Sequence, residues 1–196
     1  MKEEIKAAFI DVETTGVNQY KNGLIQLSGT ICTLAEHRII EQEDFNYKIK
    51  PLPSDVIEDK ALEINKVTRD QLEGFPHASQ VYNSFTSMLN NYCDKFDRSD
   101  KLFFIGYNAR FDYDFCRAWF EKLNDKYFGS YFFFPPIDVM NLAITQSIKE
   151  RHLLENFKLG TVCNHFGINV DSESLHDADV DIKLTIELFK KLTYNN

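Results

Sequence analysis

One short segment near the start of the chain sets the strongest constraint on its fold. Ala7, Ala8, Phe9 and Ile10 are apolar on both faces of an extended segment, the mark of a strand buried on both sides. Asp11 and Glu13 follow at once, with only Val12 between them. Successive strand side chains alternate, so the two carboxylates point to the same side. Two like charges at the mouth of a buried strand repel each other and lose hydration. A multivalent cation is the simplest remedy. The segment therefore predicts a core sheet with a cation-binding end.

The rest of the chain can enclose such a strand. Its 196 residues are 43% hydrophobic, which suits one compact domain over 1–196 with a sizeable core. No apolar run approaches ~18 residues, so no membrane span is predicted. The opening residues carry Lys2, Glu3, Glu4 and Lys6, and the apolar stretch breaks at Asp11, too soon for a signal peptide. Cys32, Cys93, Cys116 and Cys163 lie far apart and form no Cys-x-x-Cys pair. They read as small core residues in a reducing compartment, with no structural zinc site, and the expected location is cytoplasmic.

The net charge of −8 and pI near 5.1 speak against a broad nucleic-acid-binding surface, which needs a basic patch. That sum misleads if several acids hold metal, because such a site is locally neutral. A nucleic-acid enzyme of this charge would grip its strand over a short, metal-centred stretch.

Residues 23–33 alternate as a second strand, and 38–50 as a third with the polar alternation of an edge. With the first strand they form an antiparallel meander, which Pro51 and Pro53 end. Residues 54–73 read as short helices, with Thr68 a cap, and 78–92 as a helix. A second buried strand at 102–107 precedes a helix over 110–123. Ile137-Asp138 follows an aromatic run, with helices from 139, near 158–166 and over 178–192. The order predicts an α/β fold, a mixed sheet flanked by helices.

Two of those helices carry an acid on the wrong side. At ~100° per residue, Ala178, Ile182, Thr185, Ile186, Phe189 and Leu192 share one arc of the last helix, widened by Leu184 and Leu188. Asp181 falls inside that arc, between Leu188 and Leu192. A lone carboxylate there is costly and needs a metal, a cation or several donors. In the 110–123 helix, Asp112 shares a face with Phe115, Cys116, Trp119 and Leu123, while Tyr113, Asp114, Arg117 and Glu121 fall on the other side. A first-turn acid favoured by the helix dipole is the plain alternative for Asp112. His176 lies five residues before Asp181, too far to share its helix face. It is expected on the preceding loop, with Asp177 as helix cap, where its imidazole can act as a base near neutral pH.

Asp11-Val-Glu-Thr-Thr-Gly16, Asn108-Ala-Arg-Phe-Asp112 and His176-Asp-Ala-Asp-Val-Asp181 together resemble the three exonuclease motifs of the DnaQ-like 3′–5′ exonucleases, in the histidine-bearing Asp-Glu-Asp-Asp branch. Within that family the likeness runs to the proofreading epsilon subunits of bacterial DNA polymerase III. Ala61–Thr68, Phe75-Pro76, 81–85 and 159–168 extend it over nearly the whole chain. The resemblance implies a ribonuclease-H-like core: a mixed five-stranded sheet, an antiparallel meander plus parallel strands. It also implies two divalent cations, Mg²⁺ or Mn²⁺, whose preference for oxygen ligands suits the acids. By resemblance, Asp11 bridges both ions, Glu13 and Asp181 hold one, Asp112 supports the other, and His176 takes the proton from the attacking water. Thr14, Thr15, Gly16 and Asn108 would meet the terminal nucleotide, with turn and helix-cap readings as alternatives for Gly16 and Asn108.

The implied reaction releases 5′-mononucleotides from the 3′ end of single-stranded or frayed DNA. A chain of this length has no room for a polymerase domain, so a proofreading role implies a DNA polymerase partner. Two rival readings remain: an RNA-trimming or oligoribonucleotide-degrading exoribonuclease, and a non-catalytic subunit that binds a polymerase or nucleic acid. The intact set of four acids and one His argues against the second. Two departures from the family border the substrate groove: Tyr107 where a His is frequent, and Asn65-Lys66 in place of a His-Gly pair. The aromatics of 127–136 read as core rather than as a base-stacking surface, and Asp138 as structural. Lys48, Lys50 and the 149–151 region read as solvated charges, and His37, His77, His152 and His165 carry no role.

Overall fold

The computed structural model describes residues 5–36, 38–170 and 178–194. Five strands form one sheet: β1 Ile5–Thr14, β2 Leu24–Leu34, β3 Ile39–Lys48, β4 Phe103–Gly106 and β5 Ile137–Asp138. Their order is β3-β2-β1-β4-β5. The first three pair antiparallel, and β4 and β5 join parallel to β1. The meander, the edge position of the third strand and the mixed sheet are as the sequence predicts. Seven α-helices accompany the sheet among the described residues: α1 Asp59–Ile64, α2 Arg69–Glu73, α3 Ala78–Leu89, α4 Ala109–Lys122, α5 Val139–Gln146, α6 Leu159–His165 and α7 Ala178–Thr193. Short 3-10 turns at Phe128–Ser130 and Ile148–Leu153 were not foreseen. No helix among the described residues is long and apolar enough to cross a membrane.

Strand alternation divides the core into two layers. Ala8, Ile10 and Val12 of β1 pack with residues of α3 and α4, including Val81, Phe85, Phe115 and Trp119. Ala7 and Phe9 face the other way, towards Val139, Val162, Ile182, Ile186 and Phe189 of α5, α6 and α7. The acid-bearing helices α4 and α7 thus cover opposite faces of one strand. Thr68 caps α2 through a capping box with Gln71, as its position predicts. All four cysteines are buried and free.

One helix face differs from the wheel's prediction. Tyr113, placed by the wheel among the outward residues, is only 3% exposed. Its ring packs 5.4 Å from Phe104 and 5.0 Å from Phe128, and tilts against Phe134 at 5.6 Å. The 127–134 segment folds over α4, so the helix is covered on more than its sheet-facing side. The core reading of this segment holds for Phe128, Tyr131 and Phe132, which are buried, but not for Tyr127 and Phe134, which are exposed.

Candidate active site

Asp11 and Glu13 lie within β1, near its carboxyl end, and flank the buried Val12. The register pairs Asp11 with Ser28 and Glu13 with Gln26, then shifts between Glu13 and Thr14, leaving Ile25 as the extra residue of a bulge. The irregularity ends regular pairing beside the two acids.

Asp112 arrives from the first turn of α4 and is 3% exposed. Its Oδ1 accepts a hydrogen bond from the backbone N–H of Val12, 3.1 Å away. The buried carboxylate is therefore anchored to the peptide between the other two acids. Burial pushes its carboxyl well above the usual carboxylate range, with Glu13 and Asp138 adding to the rise; the amides of Val12 and of Asp112 itself pull the other way.

The Asp11 carboxyl is also held well above the usual carboxylate range. Burial contributes most, followed by the negative charges of Asp112, Glu13 and Asp181. The four acids predicted from the sequence are thus electrostatic neighbours, drawn from β1, α4 and α7. The two adjoining thiols carry the same field. Cys116 is held well above its ordinary value by burial, Asp112 and Asp11, and Cys163 is pushed up to about 12 by burial, Glu187 and Asp181. Among the described residues, no three His, Cys, Asp or Glu side chains converge into a ready-made metal cage. The donor chemistry nonetheless fits hard divalent cations: the charged groups acting on Asp11 among the described residues are carboxylates, and their mutual repulsion is what such a charge relieves. His176 and its proposed helix cap Asp177 lie outside the described residues, as does His37.

The turn after β1 is turned inward more than expected. Thr15 is fully buried, and its hydroxyl donates to Val56 O (2.7 Å) and accepts from Gly23 N (2.7 Å). Thr14 donates to Gly16 O (2.6 Å). A Cβ on Gly16 would run into the Asn22 amide and the Glu58 carboxylate, so the close packing there requires glycine. Sequence reasoning missed Asn22, which is 1% exposed and braces the turn through Thr15 O, Val56 O and Glu58 Oε1. A polar residue in a loop gives no periodic signal of such a role.

Asn108 occupies the cap position of α4 in a left-handed conformation (φ 60°), yet its side chain makes no capping bond and stays exposed. Asp138 holds the turn instead: its Oδ1 accepts from Asn108 N and Met140 N, both at 3.0 Å. Those bonds account for Asp138 as a structural residue.

The model of the exonuclease family named RNase_T matches residues 8–189, which carries all three motif segments. This chain belongs to the DnaQ-like exonuclease family. Its relatives fall in more than one named group. Ribonuclease T of Buchnera aphidicola subsp. Baizongia pistaciae is 25% identical over 188 residues, covering 93% of this chain and 81% of the relative. DNA polymerase III subunit epsilon of Buchnera aphidicola subsp. Acyrthosiphon pisum is 27% identical over 192 residues, covering 96% and 73%. Among solved structures, the zinc-bound complex of E. coli exonuclease I with single-stranded DNA is similar in fold, with a TM-score of 0.76 at 17% identity. The alignment covers 99% of this chain but 41% of that one, so the exonuclease here spans less than half of exonuclease I. Dependence on divalent metal is general in this family.

Asn65, Lys66 and Tyr107 each shape their local structure. Asn65 donates from Nδ2 to Thr14 O (2.9 Å), bracing the end of β1. Lys66 adopts φ 54°, a left-handed conformation that glycine takes with less strain. Tyr107 donates its hydroxyl proton to Phe157 O (2.6 Å), tying β4 to the segment before α6.

Proposed function

We propose that this exonuclease removes 5′-mononucleotides from the 3′ ends of single-stranded DNA. The observation that carries the reading is the Asp112 carboxylate bound to the Val12 amide between Asp11 and Glu13, with the charges of Asp112, Glu13 and Asp181 all acting on buried Asp11. Asp11, Glu13, Asp112 and Asp181 would hold two divalent cations, Mg²⁺ or Mn²⁺, which when bound polarise the scissile phosphate and stabilise the charge that builds on its oxygens. His176 would accept the proton of the attacking water, a task suited to an imidazole near neutral pH. The phosphorus–oxygen bond to the upstream 3′ carbon breaks, leaving a 5′-mononucleotide and a strand shortened by one residue.

The surroundings support a grip on an unpaired strand. Phe134 (61% exposed) lies against the Arg110 guanidinium at 5.5 Å, and Tyr20 (74% exposed) lines a shallow recess that Arg110 shares. Exposed rings beside a guanidinium give bases a stacking surface in a chain whose net charge is −8. Asn108 would face the terminal nucleotide through its free side chain, and Thr14 to Gly16 through the shape of their braced turn. A DNA polymerase partner belongs to this reading, by the likeness to epsilon subunits.

A second reading, trimming of RNA 3′ ends, draws on ribonuclease T relatives whose length this chain largely covers. The deciding experiment offers 5′-labelled and 3′-labelled single strands of DNA and RNA with Mg²⁺, Mn²⁺ or EDTA. Stepwise loss of 3′ nucleotides from DNA, abolished by EDTA, is the expected outcome. Degradation of RNA alone favours the second reading, and no degradation of either overturns both.

A further inference from the structure

A polar seam crosses the sheet from the acid pair to the final helix. β2 is an inner strand, and such strands are mostly apolar. Yet on the face covered by α7 it buries Gln26 (7% exposed) and Ser28 (0%). Buried polar groups call for partners, and here the register supplies them. Glu13, Gln26 and Lys48 form one row across β1, β2 and β3, and Asp11, Ser28 and Asn46 form the next. Side chains of one row share a face of the sheet.

The hydrogen bonds run along this seam. Lys48 Nζ donates to Gln26 Oε1. Gln26 Nε2 donates to Asn46 Oδ1 (3.0 Å) and towards Ser28 Oγ (3.3 Å). With its oxygen so engaged, Asn46 turns its Nδ2 to Asp179 Oδ2, 2.8 Å away. Asp179 stands in the first turn of α7, two residues before Asp181. Near the other end of α7, Lys190 pairs with Glu41 of β3 at 3.2 Å. Between the two ties lies a groove of about 340 Å³, lined by Asn46, Asp179, Ile182 and Lys183 among others.

We infer that Asn46 is a positioning residue for the cation site. It fixes the first turn of α7 on the sheet and so aims Asp181 at Asp11 and Glu13. The inference rests on the proposed role of Asp181 as a cation ligand. Gln26 sets the orientation of the Asn46 amide, and Lys48 sets that of Gln26. Asn46 touches neither substrate nor metal; it acts through Asp179.

The test uses Mn²⁺ binding, measured by calorimetry or electron paramagnetic resonance, alongside thermal melting and oligonucleotide hydrolysis. Asn46→Asp places a carboxylate against Asp179. It should weaken Mn²⁺ binding about 10-fold, the lower end of what outer-shell partners of metal ligands contribute, with hydrolysis recovering at raised Mn²⁺. Combining Asn46→Asp with Asp179→Asn re-forms the bond with donor and acceptor exchanged and should restore the affinity. Lys190→Ala removes the distant tie between α7 and β3 and should leave Mn²⁺ affinity at the wild-type value. Unchanged affinity in Asn46→Asp, failure of the paired exchange to rescue it, or equal loss in Lys190→Ala overturns the inference. If Asn46→Asp does not fold, Asn46→Ala takes its place, and an Mn²⁺ affinity equal to wild type, or a loss no greater than that of Lys190→Ala, overturns the inference. A wild-type protein that binds no Mn²⁺, or an Asp181→Asn variant that binds it normally, overturns the cation-site reading itself and this inference with it.

Discussion

The Asp112 carboxylate accepts its hydrogen bond from the backbone amide of Val12, the residue that stands between Asp11 and Glu13. This bond gives Asp112 a structural duty separable from any chemical one. Asp112→Asn keeps an oxygen acceptor and should fold with near wild-type stability while losing hydrolysis. Asp112→Leu leaves the buried amide without its partner and should cost about 1–3 kcal/mol as well. Denaturant titration beside an activity assay checks both, and an active Asp112→Asn enzyme would remove Asp112 from the chemistry.

Asp11 makes stability depend on pH. Its carboxyl is raised in the fold by burial and by Asp112, Glu13 and Asp181, so the folded state holds its proton more tightly than the unfolded chain. Below the ordinary Asp value of about 3.9 both states are protonated and nothing is lost. As pH rises above it, the unfolded chain ionises first and stability falls until the folded carboxyl ionises too. In EDTA, Asp11→Asn should therefore melt about 2–4 °C above wild type at pH 7, the shift that ~1 kcal/mol produces in a chain of this size. The two curves should converge near pH 4. The variant should have no hydrolytic activity, and added Mn²⁺ should stabilise it less than wild type.

Lys66 offers a stability gain at a left-handed backbone position. A non-glycine residue at φ 54° carries left-handed strain of about 1–2 kcal/mol. Lys66→Gly relieves it, less the extra entropy of glycine in the unfolded chain. The expected net gain is up to about 1 kcal/mol in chemical unfolding. A loss of stability would show that the Lys66 side chain makes a compensating contact.

Tyr20 and Phe134 test the stacking surface. Base–aromatic stacking contributes about 1–3 kcal/mol per base. Tyr20→Ala or Phe134→Ala should raise KM for a single-stranded oligonucleotide by roughly 5- to 100-fold, with kcat retained at saturating strand. Unaltered KM in both variants would return these rings to ordinary surface residues.

His176 is tested by kinetics. His176→Ala should lower kcat by roughly 10²–10⁴-fold, the range of a lost general base, with Mn²⁺ binding kept. A variant that turns over normally would exclude His176 from proton transfer.

The legible parts of this molecule are those that repeat. The unbroken apolar run of Ala7 to Ile10 announces β1, strand alternation gives the shared side of Asp11 and Glu13, and the helical period locates Asp181 and Asp112 among apolar neighbours. Tyr113 was misassigned because a helical wheel assumes one covered side, whereas the 127–134 segment covers a second. Phe134 and Phe132 are two residues apart in one aromatic run, and only the path of the chain exposes the first and buries the second. The bond between Asn46 and Asp179 depends on strand register and helix placement across 133 positions, which no local pattern encodes. Thr15 and Asn22 interlock through single hydrogen bonds in a loop, where residue type alone does not reveal a partner.

The packing of α7 against β1 has a consequence for the life of the chain before it is finished. Asp11 is made early and Asp181 late, and ribosomal synthesis at ~5–20 residues per second separates them by roughly 10–30 s. Throughout that interval the growing polypeptide holds Asp11 and Glu13 without the last acid of the set. A nascent chain of this design lacks the proposed cation site until α7 is made, and translation itself times the moment at which the four acids can come together.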